Sequence, residues 1–141
     1  EENGIETYKS ISEVPAGMVD VVISNHALEH TSNPLEELEG LYKVLKKGGR
    51  IIFVVPHQNA KEEYQPGDVN QHLYTWNPMT LGNLFAKAGF KVNKVDAIQH
   101  MWPPDYMNIF EKYGEEKFHQ ICYEYAIQQN NYQIRLVGEK L

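Results

Sequence analysis

The sequence predicts an α/β fold with a mostly parallel sheet, and three observations support that prediction. The segment VDVVISN, residues 19–25, contains an unbroken apolar run, which is typical of a strand covered on both faces. A second apolar run, RIIFVV at residues 50–55, is followed by Pro56. The residues between the two runs have helical spacing. The order strand, helix, strand predicts two adjacent parallel strands joined by a crossover helix.

The crossover helix carries clear start and stop signals. Asn33 is a preferred N-cap residue, and Pro34 suits the first helical position. Leucines recur at helical spacing, and lysines gather near the negative end of the helix dipole. Gly48 is suited to the left-handed conformation that closes many helices. The pattern therefore predicts a helix that runs from Pro34 to Lys47.

The remaining elements follow from similar patterns. Residues 57–76 have no clean period, which predicts a long loop or a partly helical flap. A short helix is expected between Asn77 and Gly89, and a strand over residues 90–98. The last predicted elements are an aromatic-rich helix within residues 99–130 and a final strand in YQIRLVGEKL with Tyr132, Ile134 and Leu136 facing inward.

Composition excludes several classes of partner. The chain has 141 residues and a net charge of -6, with no basic cluster for nucleic acid or an anionic membrane. No apolar run approaches the length of about 20 residues that spans a bilayer, and the N-terminus EENGIETYKS is unlike a secretion signal. The single Cys122 excludes an intramolecular disulfide framework. These features predict one cytoplasmic domain that acts on small molecules.

The turn after the first strand, SNHALEH at residues 24–30, contains His26 and is a candidate site. Ligands of open α/β sheets bind beyond the carboxyl ends of the strands. Pro56 is expected to stop the second strand, with His57 in the turn after it, and parallel strands bring both ends to one edge of the sheet. We expect the flap, which contains His72, to close over that edge. His26, His57 and His72 are therefore the candidate catalytic bases.

The same turn also matches the spacing H-x-x-E-H. In one class of zinc peptidase this motif supplies two zinc ligands and a glutamate base from a helix. A zinc hydrolase also needs a third ligand and an open coordination position. Pro34 follows His30 by only four residues, so no established helix spans the motif. A metal hydrolase is a remote alternative, and the sequence assigns no metal ligand.

The passage DVVISNHALEHTSNPLEELEGLYKVLKKGGRIIFVVPH, residues 20–57, resembles the middle of a class I S-adenosylmethionine-dependent methyltransferase. In that family an Asp-led strand enters a Leu-Glu-His turn, and a helix ending in Val-Leu-Lys-x-Gly-Gly follows. HLYTWNPMTLGNLFAKAGF, residues 72–90, resembles the later stretch that ends in Ala-Gly-Phe. The resemblance covers residues 5–98 and implies a partial Rossmann-like methyltransferase fold with an antiparallel last strand. Residues 1–141 would form a single truncated methyltransferase-like domain.

The resemblance implies S-adenosylmethionine as the cofactor and a small molecule as the methyl acceptor. Asn25 and His26 match the turn beside the cofactor's methionine part, and Glu29 and His30 match the Leu-Glu-His signature. These four residues are therefore the expected cofactor-binding residues. In some quinone-type relatives this turn binds a divalent ion, at the positions of His26, Glu29 and His30. Histidine stands here where those relatives have a carboxylate, which argues against a metal.

Two parts of the family pattern have no counterpart in this sequence, the glycine-rich cofactor loop and the acidic residue that binds the ribose. Gly4 and Gly17 do not follow an apolar strand. Half of the cofactor cradle is therefore missing, which leaves open whether this chain is an active enzyme. The alternative is an inactive homologue or fragment that acts through protein association. Residues 5–9, IETYK, would then cover the exposed edge of strand 19–25, or two chains would form a homodimer across it.

Overall fold

In the computed structural model, which describes residues 4–141, four strands form one sheet in the order β1, β2, β4, β3. β1 pairs with β2 in parallel, and β4 runs antiparallel to both of its neighbours. Three of the four strands therefore share one direction, which confirms the predicted fold class with its antiparallel last strand. The elements are β1 Val19–Asn25, α1 Pro34–Val44, β2 Leu45–His57, α2 Pro78–Lys87, β3 Lys91–Ile98, α3 Tyr106–Gln128 and β4 Tyr132–Glu139.

The main core contains residues from one face of the sheet and from α1 and α2. Ile51, Phe53 and Val55 alternate along β2 and are buried, whereas the residues between them are only partly covered. Leu38 of α1 and Phe85 of α2 belong to the same apolar cluster. Each fully buried side chain of this kind stabilises the fold by about 1.5–3 kcal/mol. The continuous apolar run of β2 thus supplies one fully buried face.

β1 lies at an edge of the sheet in the described part of the chain, and one of its faces is open. Val21 is 50% exposed and Ile23 is 76% exposed. The prediction that this strand is covered on both faces is therefore wrong, because its outer face is left open to solvent. Residues 5–9 form no strand, so the prediction that they pair with this edge is also wrong. A homodimer across the edge stays a prediction.

The helix α1 begins as predicted but ends early. The Asn33 side chain caps the first turn by accepting a backbone N–H hydrogen bond. The predicted end at Lys47 is wrong, because the helix stops at Val44 and Leu45 takes an extended conformation that buries its side chain in the core. Gly48 has the expected left-handed conformation, with a φ of 79°. It lies in the irregular start of β2 and does not close the helix.

The strand β2 continues through the proline that was expected to end it. Pro56 stays in register with Gln133 of β4, and the strand ends one residue later at His57. The segment 58–77 that follows contains no helix or strand, so of the two forms predicted for residues 57–76 the structure has the loop. From here on the flap means residues 58–77. The longer β2 places His57 directly before the flap.

The second half of the chain agrees closely with the sequence pattern. Asn77 and Thr80 form a capping box at the start of α2, and Gly89 takes a φ of 102° just after the helix ends. In β4, residues 134 and 136 are buried, and Tyr132 lies on the same face by the alternation of the strand, but at the strand end it is 37% exposed.

The long helix α3 confirms the helical stretch expected within residues 99–130. Gly114 has a non-helical φ of 74° and divides it into two parts. In the second part Cys122 is fully buried, and burial raises the pKa of its thiol, as expected for a core cysteine. Within residues 4–141, no helix combines the length and apolar character that crossing a membrane requires.

Candidate functional site

The carboxyl ends of β1 and β2 meet, as parallel pairing requires. Asn25 is in register with Val54, and the backbone N–H of His26 donates a 2.9 Å hydrogen bond to the Val54 carbonyl. His26 then adopts a φ of 50°, a left-handed conformation that is uncommon outside glycine and costs about 1 kcal/mol. This conformation turns the chain out of the sheet into the short 3-10 turn Leu28–His30.

The turn Leu28–His30 buries a carboxylate. Leu28 anchors the turn in the core, and the neighbouring Glu29 is 0% exposed. Among the described residues, neither carboxylate oxygen of Glu29 has a hydrogen-bond partner. An ionised carboxylate without compensation costs several kcal/mol to bury, and folded proteins rarely keep one. The buried carboxylate of Glu29 therefore makes this turn a candidate functional site.

Three imidazole rings surround one oxygen of Glu29. Its Oε1 lies 3.9 Å from Nδ1 of His26, 3.8 Å from Nε2 of His30 and 4.0 Å from Nε2 of His72. The rings of His30 and His72 are edge to face, with centroids 5.0 Å apart. Because hydrogen bonds of nitrogen to oxygen rarely exceed 3.2 Å, these contacts are electrostatic and leave space between the atoms. Three of the sequence-predicted site residues thus converge on one atom of a fourth, Glu29.

The C-terminal end of the flap is held against this turn by hydrogen bonds. The backbone N–H of Leu73 donates to the carbonyl of Glu29 at 2.9 Å, and the Tyr74 hydroxyl donates to the carbonyl of Ser32 at 3.1 Å. The Tyr74 ring stacks on Trp76, whose side chain is buried in the core. These contacts determine where His72 lies, so its approach to Glu29 is a consequence of the fold.

His57 is held separately, at the end of β2. Its Nδ1 lies 2.8 Å from the carbonyl oxygen of Trp76. A carbonyl oxygen only accepts hydrogen bonds, so Nδ1 donates, and in the neutral ring Nε2 keeps a lone pair that can accept a proton. His57 and His72 both line an open cavity of about 1200 Å³ bounded by the flap. The geometry therefore allows His57 to act as a base toward a molecule in this cavity.

Two features of the site carry no sequence signal. Glu29 belongs to a familiar Leu-Glu-His turn, but no local pattern indicates that its carboxylate would be buried beside Leu28. The meeting of His30 with His72 depends on how the flap folds back, and an irregular loop has no periodicity from which that path could be read. Sequence reasoning identified the residues of the site but not the atom on which they converge.

Comparison with known proteins identifies the family. The family model described as a methyltransferase domain matches residues 3–95, which is more than half of the chain. The chain belongs to this family. Among the similar structures, one is in complex with S-adenosyl-L-methionine and another is a SAM-dependent methyltransferase.

Solved structures of low sequence identity share the fold. The [4+2]-cyclase SpnF is 17% identical, with a TM-score of 0.59 over 89% of this chain and 52% of that chain. Phosphoethanolamine N-methyltransferase 2 from Haemonchus contortus, in complex with S-adenosyl-L-methionine, is 16% identical, with a TM-score of 0.54 and coverages of 89% and 34%. A SAM-dependent methyltransferase from Aquifex aeolicus is 17% identical, with a TM-score of 0.53 and coverages of 91% and 49%. The chain thus spans about half or less of the length of each of these structures. The search of curated protein sequences found no match.

Among the described residues, the turn after β1 is the one part that corresponds to the cofactor turn expected from the family resemblance. Asn25 ends β1, and His26 turns left-handed directly after it, where the family places its cofactor turn. Within residues 4–141 no strand precedes β1, so the glycine-rich loop that follows the family's first strand has no place in this sheet. Gly4 and Gly17 have open space around them and do not form a tight cradle. The residues present account for the turn after β1 and not for the glycine-loop side.

Proposed function

We propose that this chain takes part in cytoplasmic, S-adenosylmethionine-dependent methyl transfer to a small-molecule acceptor. The observation that supports it best is that His72, which faces Glu29 of the turn after β1, also lines the cavity bounded by the flap. Membership of the methyltransferase domain family supports the reaction class. Similarity of fold alone would not suffice, because SpnF shares the fold and is a cyclase.

The chemistry that the cofactor supplies is a methyl group on a positively charged sulfur. Methyl transfer then needs the acceptor to be aligned with that methyl group and relieved of one proton. On this proposal Asn25 and His26 contact the methionine part of the cofactor, in the turn that the family resemblance assigns to it. The flap borders the cavity that would hold the acceptor.

His57 is the best-placed base of the three candidates. Its ring orientation is set by the hydrogen bond to the Trp76 carbonyl, and Nε2 is the nitrogen that accepts the acceptor's proton. His72 is less suited to this role, since its Nε2 faces Glu29 and its Nδ1 is buried. On this proposal His26 and His72 shape the site around Glu29, and His57 performs the proton transfer.

The lining of the cavity favours a polar or positively charged acceptor. The cavity is bordered by the carboxylates of Glu62, Glu63 and Asp68, together with amide side chains of the flap. Carboxylates repel an anionic acceptor and attract an amine. We therefore propose an amine or a polar hydroxyl compound as the acceptor class.

Calorimetric titration of S-adenosylmethionine and of its demethylated product into the chain tests the proposal. Micromolar binding, about -8 kcal/mol, is expected for a functional site. His26→Ala should abolish this binding while leaving the circular dichroism spectrum unchanged, and the matched control His119→Ala should bind like the unaltered chain. No heat at millimolar cofactor would contradict cofactor binding by this chain.

A second candidate function, association with another protein chain, is favoured by the open β1 edge. Val21 and Ile23 expose apolar side chains beside unpaired strand backbone in the described part of the chain. Light scattering should then give the mass of a homodimer, and Ile23→Lys should give a monomer. A strict monomer at high protein concentration would exclude this candidate.

A further inference from the structure

The proposed methyl transfer leaves the buried carboxylate of Glu29 without a task. It is fully buried, both of its oxygens lack hydrogen-bond partners within residues 4–141, and imidazole nitrogens face it. We propose that Glu29, His30 and His72 form a binding site for one divalent transition-metal ion. The site would join the turn after β1 to the flap.

The ligand atoms are close enough for a single ion if the side chains move closer together. One ligand atom from each of Glu29, His30 and His72 can be chosen so that all three lie within 4.8 Å of one another. Ligands at about 2.1 Å from a tetrahedral ion are roughly 3.4 Å apart. The Oε1 to Nε2 distances of 3.8 and 4.0 Å therefore need to shorten by about half an ångström. The His30 side chain is 45% exposed, so it has room to move.

Charge gives the second reason for an ion. A cation bound to Glu29 would offset the cost of burying the carboxylate. Without a partner, a buried charge is strongly destabilising. Imidazolium rings would be the competing compensation. Charge-assisted hydrogen bonds are shorter than these contacts, at about 2.7–2.9 Å, so the rings do not form them with Glu29. The nearest ring nitrogens of His30 and His72 stand 3.8 and 4.0 Å from the oxygen, which leaves a gap between these atoms.

The donor set selects the class of ion. Two imidazoles and one carboxylate suit zinc and neighbouring first-row divalent ions, whereas magnesium and calcium prefer oxygen ligands throughout. Three protein ligands leave at least one coordination position open. One ligand, His72, also lines the cavity under the flap, so that open position would be close to bound small molecules. Zinc is therefore the first probe.

Zinc titration into the metal-free chain tests the site directly. Calorimetry and metal analysis after gel filtration should give one tightly bound zinc ion per chain. Loss of an outer-sphere partner of a metal ligand already weakens binding by about 10–100-fold, so His30→Ala and His72→Ala should weaken it by at least about 100-fold. The matched control is His119→Ala, which removes an imidazole from a different histidine pair and should leave affinity unchanged. His26→Ala should have a smaller effect, since His26 is outside the three mutually close ligands.

Thermal unfolding gives a second measure that needs neither cofactor nor activity. An ion that binds only the folded chain raises its midpoint temperature. Zinc should raise the midpoint of the unaltered chain and of His119→Ala, and it should not raise that of His72→Ala or Glu29→Gln. His30 is partly exposed, so His30→Ala keeps the fold and remains informative if another variant does not fold.

Three outcomes would overturn the inference. The first is zinc binding in less than stoichiometric amount at tens of micromolar, and the second is magnesium binding as tight as that of zinc. The third is loss of binding in His119→Ala but not in His72→Ala. The last outcome would move the site to the exposed pair His100 and His119. None of these measurements uses S-adenosylmethionine, so failure of the proposed methyl transfer and failure of the metal site are distinguishable.

Discussion

The protein contains two groups of histidines with a glutamate nearby, and they differ chiefly in the exposure of the carboxylate. In the first, Glu29 is 0% exposed and is faced by three imidazoles. In the second, Nε2 of His100 lies 3.2 Å from Nδ1 of His119, and Glu115 approaches His119 at 3.9 Å but is 80% exposed. Water can solvate the second carboxylate and cannot reach the first. Similar side chains therefore carry very different electrostatic costs.

The second group belongs to the packing of α3 on the rest of the chain. The His100 carbonyl accepts a 2.8 Å hydrogen bond from the Gln133 side chain of β4. The next residue, Met101, donates its backbone N–H to the carbonyl of Cys122 in α3 at 3.2 Å. The His100–His119 contact thus reinforces a structural junction, whereas the Glu29 group lies beside an open cavity. The comparison separates a structural role from a chemical one.

Charge reversal should give the largest difference between the two groups. Glu29→Lys places an ammonium group in a buried site against imidazoles and should lower the free energy of unfolding by about 4 kcal/mol or more. Glu115→Lys changes an exposed charge and should stay within about 0.5 kcal/mol of the unaltered chain. Urea denaturation measures both. Equal effects would mean that Glu29 is not buried in solution.

An apolar substitution tests the sign of the Glu29 contribution. In metal-free buffer Glu29→Met removes an unpartnered buried carboxylate at similar volume and should raise the free energy of unfolding by about 1–2 kcal/mol. With saturating zinc the order should reverse, because only the unaltered chain keeps the carboxylate ligand. The same urea series with and without zinc gives both values. If Glu29→Met were less stable in both buffers, the carboxylate would be compensated without a metal.

The contrast between the groups also explains how far the sequence predicts this molecule. The strands over residues 19–25 and 90–98 and the helix after Asn77 follow from apolar runs and caps, which are local properties. The early end of α1 does not, since Leu45 leaves the helix to fill the core, and a tertiary demand overrides the lysine and glycine signals.

The sequence predicts where the site lies in the fold but not how its side chains are arranged. Parallel strands must bring His26 and His57 to the same edge, so their neighbourhood follows from topology. The burial of Glu29 and the approach of His72 depend on the path of the flap, which is set by bonds such as that from Leu73 to Glu29. Long-range contacts made by an irregular loop leave no periodic trace in a sequence.

The His100 junction should make stability depend on mildly acidic pH. Burial lowers the pKa of His100 below its ordinary value of 6.5, and the positive charge of His119 lowers it further. The unfolded chain therefore binds a proton more readily than the folded chain, so stability falls as pH drops below that value. Midpoint temperatures measured from about pH 7.5 to about pH 5.5 should fall more steeply for the unaltered chain than for His100→Gln. Parallel curves would show that His100 does not contribute.

The smallest effect is expected where a charge pair remains accessible to water, between Asp96 of β3 and Arg135 of β4. These cross-strand partners form two hydrogen bonds, at 2.7 and 3.2 Å, and the bond from Arg135 is the main reason that the pKa of Asp96 lies below 3.8. The ionised carboxylate therefore stabilises the fold above its ordinary pKa, and this contribution is lost as pH falls through the lower folded value. Solvent and salt screen a partly exposed pair, so Asp96→Asn should cost at most about 1 kcal/mol at neutral pH in urea denaturation. The cost should shrink in high salt, whereas the penalty of Glu29→Lys should change much less, because mobile ions screen buried charges only weakly. If high salt reduced both effects equally, the two carboxylates would not differ in burial.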